Sequence, residues 1–185
     1  MSHYGSVWVK LNNPETDLPL LKEKYNAQAT LPTGLNFACA IKNESDGETP
    51  EGRMAELSQR FGEAIFMCVQ TTVDFFIYSH WRDGEQVRQI QYCADEGWYD
   101  LSGEKEAWEL RMFDEAEKQR QLSYLDLERL AKNPDSSEYS NAQRLAAEIE
   151  AIWAGRKLLE ESFYPMATAS EIYDIVMQEY GLANP

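Results

Sequence analysis

The chain has 185 residues, of which 43% are hydrophobic and 12% aromatic, so it can form a core and is not a disordered protein. Its 17 Lys and Arg residues stand against 32 Asp and Glu residues, and the net charge of −15 argues against direct binding to nucleic acid or anionic lipid. The N-terminal residues lack the pattern of a signal peptide, and no apolar run approaches the ~20 residues needed to cross a bilayer. We therefore expect an acidic cytoplasmic protein that does not bind membranes.

The first 62 residues alternate between strand-like and helix-like patterns. Alternating apolar residues predict strands, and apolar residues three and four apart predict helices. The predicted elements are a strand over Tyr4–Leu11, a helix capped by Thr16 or Asp17 with Pro19 in its first turn, a turn at Leu31–Gly34, a strand over Leu35–Lys42, a loop over Asn43–Pro50, and a helix from Pro50 to Gly62.

The segment from Glu63 to Ser102 organises the rest of the chain. Its apolar, β-branched and aromatic residues form short runs between turn residues, which is typical of consecutive antiparallel strands. Ala64–Val69 is apolar throughout and is predicted to be buried on both faces. Asp83-Gly84 predicts a type I′ turn, because both positions need positive φ. A turn at residues 95–97 and a strand over Trp98–Leu101 complete a meander of roughly four strands.

The turn at Asp83-Gly84 also predicts the register of its hairpin. Continuing the ladder from this turn pairs Arg82 with Glu85 and, further along, Phe75 with Tyr92. Side chains alternate between the two faces of a strand, so a slip of one residue would exchange the faces. The predicted core face carries Phe75, Ile77, Trp81, Ile90 and Tyr92. The predicted half-covered face carries Asp74, Phe76, Tyr78, His80, Val87, Gln89, Gln91 and Cys93.

After Ser102-Gly103 the hydrophobic period changes from two to three or four, which predicts helices. Asn133-Pro134-Asp135 interrupts this helical half. The predicted helices are one with a stripe of Trp108, Met112 and Ala116, a short one with Leu127 and Leu130 capped by Ser123, a long one from Glu138 to Ser162, and a last one with a Thr168–Glu171 capping box and Gly181 past its end.

These elements predict an α+β fold, with an antiparallel meander of about four to six strands in total, helices packed on it and a helical C-terminal half. Two divisions into domains are open: a sheet domain over 1–103 followed by a helical region over 104–185, or one domain over 1–185. The helical region would pack on the sheet or on a partner, because its apolar stripes need to be covered.

Few residues point to catalysis, to a metal or to a cofactor. His3 and His80 are the only histidines, and the sequence has no HExxH motif, no glycine-rich phosphate loop and no GxSxG motif. Cys39, Cys68 and Cys93 form no CxxC pair and lie in apolar contexts, which favours buried thiols in a reducing compartment. We therefore assign no metal site and no cofactor.

A Cys-His-Asp arrangement around His80 is the one catalytic possibility that the sequence suggests. Asp74 and His80 lie roughly 20 Å apart on one strand and cannot touch, and a pair with Cys68 would require that this thiol be accessible. We therefore assign no catalytic residue and expect His80 to be partly exposed and hydrogen-bonded. Glu104, Glu106 and Glu109 are expected on a solvated helix face.

Aromatic and polar side chains of the meander are the better candidates for a site. Trp, Tyr and Arg dominate the energetics of protein interfaces, and a sheet face with amides and rings can also floor a ligand pocket. The predicted partner- or ligand-binding residues are Tyr78, His80, Arg82, Gln89, Gln91 and Trp98. Of these, Tyr78, His80, Arg82 and Trp98 are expected near one end of the hairpin.

Five short motifs occur in the middle third of the chain. They are Phe61-Gly62-Glu63, the HWRDG sequence from His80 to Gly84, Val87-Arg88, Gly97-Trp98 and Trp108-Glu109. Together they resemble a family of uncharacterised bacterial proteins with no assigned function. The resemblance implies a bacterial protein, and it implies no activity and no functional residue.

We expect a non-catalytic module that binds another protein or itself, because the sequence combines an acidic surface and many aromatic residues with no catalytic motif. One alternative is an enzyme or small-molecule binder that uses the sheet face around His80. A second is an acidic inhibitor that mimics nucleic acid and occupies a basic site on another protein.

Overall fold

The computed structural model describes residues 3–25, 36–41, 50–93, 95, 97–112, 115–155 and 169–182. These residues form a six-stranded antiparallel sheet and helices, which confirms the predicted α+β fold. The strands are β1 (His3–Lys10), β2 (Phe37–Ile41), β3 (Glu63–Gln70), β4 (Phe75–Arg82), β5 (Glu85–Cys93) and β6 (Gly97–Gly103). The helices are α1 (Pro14–Tyr25), α2 (Pro50–Phe61), α3 (Ala107–Arg111), α4 (Glu115–Tyr124), α5 (Leu127–Leu130), α6 (Ser137–Gly155) and α7 (Ala169–Glu179).

The strand order in the sheet is β2-β1-β3-β4-β5-β6. Strands β3 to β6 are the predicted meander, in which each strand pairs with the next along the chain. Strand β1 lies between β2 and β3, so the two N-terminal strands extend the meander on one side. As predicted, β3 is buried on both faces at most of its positions, because strands flank it and helices cover both its sides.

Each face of the sheet has its own hydrophobic core. On the first, which we call face A, helices α1 and α2 pack over the N-terminal part of the sheet. On the second, face B, helices α3 and α7 pack on the sheet, and α6 contributes residues to the same core. The buried core residues of face A are Val7, Val9, Leu11, Leu21, Ala38, Met54, Leu57, Phe61 and Ala64. Those of face B include Trp8, Phe37, Ile65, Met67, Phe76, Tyr78, Ile90, Tyr92, Trp108, Ile149, Ile172 and Val176.

The tight turn between β4 and β5 is at Asp83-Gly84, as predicted. The φ angles of Asp83 and Gly84 are 50° and 88°, the left-handed conformation that a type I′ turn requires. Helix α2 supports the turn, because Ser58 Oγ accepts a hydrogen bond from the Gly84 amide at 3.0 Å. The Gly62 carbonyl accepts another from the Asp83 amide at 3.0 Å.

The predicted faces of this hairpin are wrong because β5 contains a bulge. Arg82 pairs with Glu85 as predicted, but His80 pairs with Arg88, so Val87 is the extra residue. Beyond the bulge, each residue of β4 pairs with a β5 residue one position later than predicted. Side chains of β4 and β5 that were predicted to share a face therefore lie on opposite faces. Ile90 and Tyr92 are buried as predicted, but Phe76, Tyr78 and His80 join them on face B, whereas Phe75, Ile77 and Trp81 lie half-buried on face A.

Three helix boundaries also differ from the predictions. Helix α1 begins at Pro14, and the Asn13 carboxamide caps it by accepting from the Glu15 amide at 3.2 Å. The predicted stripe from Trp108 to Ala116 is divided between α3 and α4. Ser123 does not cap α5, which begins directly after Asp126. The Ser123 hydroxyl instead donates to the Arg120 carbonyl within α4.

The end of α7 is as predicted, with Gly181 in the left-handed conformation at φ 58°. The Leu182 amide donates to the Met177 carbonyl at 2.8 Å, which closes the last turn. Helix α6 begins at Ser137, one residue before the predicted span 138–162. Residues 156–162 of that span are outside the described residues, as are the turn at 31–34, the loop at 43–49 and Thr168. In the described part of the chain, no helix is both long enough and apolar enough to cross a membrane.

Candidate functional site

A buried polar cluster on face B is centred on His80, which is fully buried in the middle of the sheet. Its Nε2 atom lies 2.9 Å from Glu63 Oε1, at the start of the neighbouring strand β3. Its Nδ1 atom bonds to Glu106 Oε1, just before α3. The expectation that His80 is partly exposed is therefore wrong, because the side of β4 that carries Phe76, Tyr78 and His80 is the one covered by the core of face B.

Two cations hold the Glu63 side of this cluster near the surface. Lys10 Nζ, on β1, lies 2.7 Å from Glu63 Oε2. An Arg82 guanidinium nitrogen lies 3.3 Å from Oε1 of the same carboxylate. Both cationic side chains are about half exposed, whereas the Glu63 side chain is almost covered. The Glu63 carboxylate therefore contacts two cations on its solvent side, Lys10 and Arg82, and His80 on its core side.

Neutral donors surround the Glu106 side. The Tyr78 hydroxyl donates to Glu106 Oε2. The Tyr180 hydroxyl donates to the same oxygen at 2.8 Å, and the Trp108 indole nitrogen donates to it at 3.0 Å. These contacts bring together a central strand, the start of α3 and the residue that follows α7. We call Glu63, Tyr78, His80, Glu106, Trp108 and Tyr180 the His80 cluster.

A second buried ion pair supports the position of Glu106. The Arg88 guanidinium binds the Glu109 carboxylate through two hydrogen bonds, of 2.9 and 2.7 Å. Glu109 Oε1 also accepts from the Glu106 amide at 2.9 Å, as part of a capping box at the start of α3. Glu109 is 1% exposed. The expectation of a solvated helix face for Glu106 and Glu109 is therefore wrong.

The geometry determines the charge of His80. Both its ring nitrogens face carboxylate oxygens, which accept hydrogen bonds and do not donate them. A neutral imidazole has one N–H group and could serve one carboxylate, whereas the imidazolium serves both. Burial alone would lower the pKa of His80, but the hydrogen bonds and charges of Glu106 and Glu63 outweigh it and raise the pKa above 6.5.

The pKa values of the groups that contact His80 are shifted in the directions that a charged imidazolium between two carboxylates requires. Burial opposes ionisation of Glu63, but the hydrogen bonds from His80 and Lys10 outweigh it and lower the pKa of this carboxyl to about 2. Burial likewise opposes ionisation of Glu106, and the contact with His80 reverses the effect, so its pKa is also lowered. Burial and the Glu106 charge raise the pKa of Tyr78 and of Tyr180, which keeps both hydroxyls protonated.

The lowered pKa of Glu63 predicts a loss of stability in acid. Its contribution is complete above its unfolded pKa of 4.5 and disappears as the pH falls from 4.5 toward 2. We expect Glu63→Gln to be less stable than the wild type at pH 7, by a difference that shrinks over this interval. Urea unfolding at a series of pH values measures the difference. Glu85→Gln, at an exposed position of β5, is the control, and an equal pH dependence for both variants would contradict the prediction.

The arrangement leaves little for catalysis. A general base or a nucleophile needs a free atom within reach of a substrate, but the two nitrogens of His80 are already bonded to carboxylates. They also point to different carboxylates, so they do not converge on one position. In the residues that the structure describes, no three His, Cys, Asp or Glu side chains are grouped so that they could hold a metal ion.

The cysteines do not approach His80. Cys68 pairs with Ile77 and Cys93 pairs with Phe75, and all four side chains lie on face A. His80 lies on face B, so the sheet separates it from both thiols. The expectation that Cys93 and His80 share a face is wrong for the same reason as the register, the bulge in β5.

The predicted site residues occupy three separate places. Tyr78 and His80 belong to the His80 cluster, and Arg82 lies at its surface. Gln89 and Gln91 lie on face A, on the other side of the sheet. Trp98 packs on Tyr92 at a ring distance of 5.0 Å, on face B and far from the Asp83-Gly84 turn. The expectation that Trp98 lies at the same end of the hairpin as Arg82 is wrong.

Face A has an open patch where the meander extends beyond the core of that face. Its side chains are half-buried, and none belongs to the two hydrophobic cores as the described part of the chain forms them. Two are large and apolar, Phe75 and Ile77, and they adjoin amide side chains. Gln91 Nε2 donates to Asp100 Oδ2 at 2.7 Å, which fixes one of those amides in place. We define the open patch as Gln70, Phe75, Ile77, Gln89, Gln91 and Cys93.

Sequence reasoning missed Glu63, Glu106, Trp108 and Tyr180 as members of the His80 cluster. Glu63 directly precedes a strand buried on both faces, and a carboxylate at that position needs a cation, so this signal was available. Glu106 and Tyr180 lie 26 and 100 residues from His80 along the chain, and no local pattern brings them together.

The chain was compared with protein-family models, with curated proteins and with solved structures, and none of the three comparisons gave a match.

Proposed function

We propose that this protein is a non-catalytic module that binds a partner protein on the open patch of face A. The observation that carries the proposal is the position of Phe75 and Ile77. Both are large apolar side chains in the middle of a sheet, yet neither joins the cores that the described residues form, and both remain partly exposed. An exposed apolar surface surrounded by polar groups is typical of a protein interaction site.

The His80 cluster supports the non-catalytic part of the proposal. Its carboxylates, hydroxyls and imidazole bond to one another, and its central residue is shielded from solvent. A buried network whose members satisfy one another gives rigidity to a fold. We therefore assign the cluster a structural role in the sheet and the binding role to the open patch.

The charge distribution indicates the chemistry of the partner. The six residues of the open patch carry no charge, and Asp100 stands beside them with an exposed carboxylate. The protein as a whole has a net charge of −15. A partner with an apolar centre bordered by Lys or Arg would match both features, and the opposite charges would speed its association. A second copy of this chain would bring the same negative charge and would be repelled.

Site-specific photocrosslinking tests the proposal. A photoreactive amino acid at Gln91 is expected to give a discrete adduct in a lysate of the source organism, and mass spectrometry should identify a basic protein. The adduct should weaken as salt is raised, since salt screens charge attraction. The same amino acid at Glu148, on the exposed side of α6, is the matched control.

Ile77→Lys supplies the decisive comparison. Because Ile77 is partly exposed, the substitution should alter stability by less than about 1 kcal/mol. It should reduce the adduct more than tenfold, because a cation in the centre of the patch repels the cationic border of the partner. Equal crosslinking from Gln91 and Glu148 would contradict the proposal. An adduct between two copies of this chain would contradict the basic partner.

A further inference from the structure

His80 bonds to two carboxylates, Glu63 and Glu106, whose other hydrogen-bond partners differ in charge. The titratable groups whose side chains bond to the side chains of His80, Glu63 or Glu106 come from five elements of the fold. They are Lys10 of β1, Glu63 of β3, Tyr78 and Arg82 of β4, Glu106 at the start of α3, and Tyr180 after α7. Two of these groups are cations besides His80, and both contact Glu63.

Loss of the His80 proton would therefore affect the two carboxylates unequally. Neutral imidazole keeps one N–H group, so one carboxylate would face a nitrogen lone pair. Glu63 keeps Lys10 and Arg82 as partners. Among the described residues, His80 is the only cation within hydrogen-bonding distance of Glu106. Whichever nitrogen keeps its N–H group, Glu106 therefore loses its cationic partner, whereas Glu63 keeps two.

The nearby Arg88–Glu109 pair does not replace this cation. Arg88 uses its guanidinium on Glu109 and on the carbonyls of Ser102 and Gly103. Glu109 faces Glu106 as a second negative charge. Without the imidazolium, Glu106 would be a nearly buried carboxylate held by neutral donors alone, and an unpaired buried charge is costly.

Tyr180 transmits this change to the last helix. Its hydroxyl donates to Glu106 Oε2 at 2.8 Å and lies 3.5 Å from His80 Nδ1. Its backbone amide donates to the Val176 carbonyl, so the residue continues α7 by part of a turn. Val176, in the same helix, is buried in the core of face B. A movement of Glu106 therefore acts directly on the C-terminal end of α7.

We propose that protonation of His80 is a conformational switch that holds the C-terminal end of α7 on the sheet, and that loss of this proton to solvent releases that end. The direction of the pH dependence follows from the raised pKa of His80. The holding contribution is complete below the unfolded pKa of about 6.5 and is lost as the pH rises through the folded value. Release of α7 would uncover apolar surface on face B, on the opposite side of the sheet from the open patch.

Hydrogen exchange read by NMR tests this switch in the full chain. The pKa of His80 is first measured from its ring protons, and amide protection factors, which correct for the intrinsic effect of pH, are then determined on both sides of that value. We expect the protection factors of Val176 and Met177 to fall about tenfold or more above it, because a charge-assisted hydrogen bond is lost. The amide of Ile90, in the central strand β5, should keep its protection.

Tyr180→Phe tests whether the Tyr180 hydroxyl is what links the protonation of His80 to α7. It removes the hydroxyl but keeps the ring, which packs edge-on against Phe37. His80 should still titrate in this variant, but protection in α7 should no longer change at the pKa of His80. Constant protection of α7 in the wild type while His80 titrates would overturn the proposal. An undiminished response in Tyr180→Phe would overturn it as well.

Discussion

Replacing His80 with glutamine is expected to destabilise the fold by about 3–5 kcal/mol at pH 7, because it removes the cation between two buried carboxylates. Glu63 would keep Lys10 and Arg82, but Glu106 would lose its cation. Urea unfolding at pH 7 measures the loss.

Arg82→Gln is the matched control for this prediction. Arg82 and His80 both contact Glu63 Oε1, but the Arg82 side chain is 55% exposed and that of His80 is 0% exposed. Solvent screens the exposed pair, so its removal should cost about 1 kcal/mol or less. If the two substitutions cost the same, burial would not be what makes His80 important.

Replacing Gly103 with alanine should cost about 3 kcal/mol, the second large effect. Gly103 has φ +82°, a conformation that side chains with a Cβ atom rarely adopt. A Cβ atom there would lie 1.9 Å from the carbonyl oxygen of Val87, so the backbone of the β5 bulge would have to move. The same bulge places Arg88 on face B, and the ion pair with Glu109 should loosen in this variant.

Gly5→Ala provides the comparison for Gly103→Ala. The nearest atom to a Cβ atom on Gly5 is a ring carbon of Phe66 at 3.8 Å, an ordinary contact distance. We expect the free energy of unfolding of this variant to lie within about 0.5 kcal/mol of that of the wild type. Thermal and urea unfolding of both variants measure the difference. Equal stability of the two would show that the close approach of Gly103 to Val87 does not constrain the fold.

The local parts of the fold were predictable from the sequence, because they depend on neighbouring residues. Asp83-Gly84 predicts its turn since it supplies two residues that tolerate positive φ. The bulge at Val87 was not predictable, because it depends on contacts made much later in the chain. Arg88 reaches Glu109, 21 residues on, and only glycine at Gly103 lets β6 approach Val87. One extra residue in β5 then changes which side chains of β4 and β5 share a face along the rest of the hairpin.

The candidate site was predictable only in part, for a related reason. Tyr78 and His80 were recognised as chemically unusual residues in a sheet, and the structure places them in one cluster. Their partners Glu106 and Tyr180 come from the helical half, and a glutamate in a polar stretch ordinarily lies in solvent. The amides Gln89 and Gln91 were grouped with His80 through the predicted register, and the bulge moves them to the opposite face.

The state of the His80 ring in solution tests the central claim most directly, that an imidazolium binds Glu63 and Glu106 at the same time. The sequence has two histidines, so a His3→Gln variant leaves a single imidazole to observe. A nitrogen-15 NMR spectrum at pH 7 should show protons on both Nδ1 and Nε2. A single protonated nitrogen at that pH would contradict the account, because neutral His80 could not serve both carboxylates.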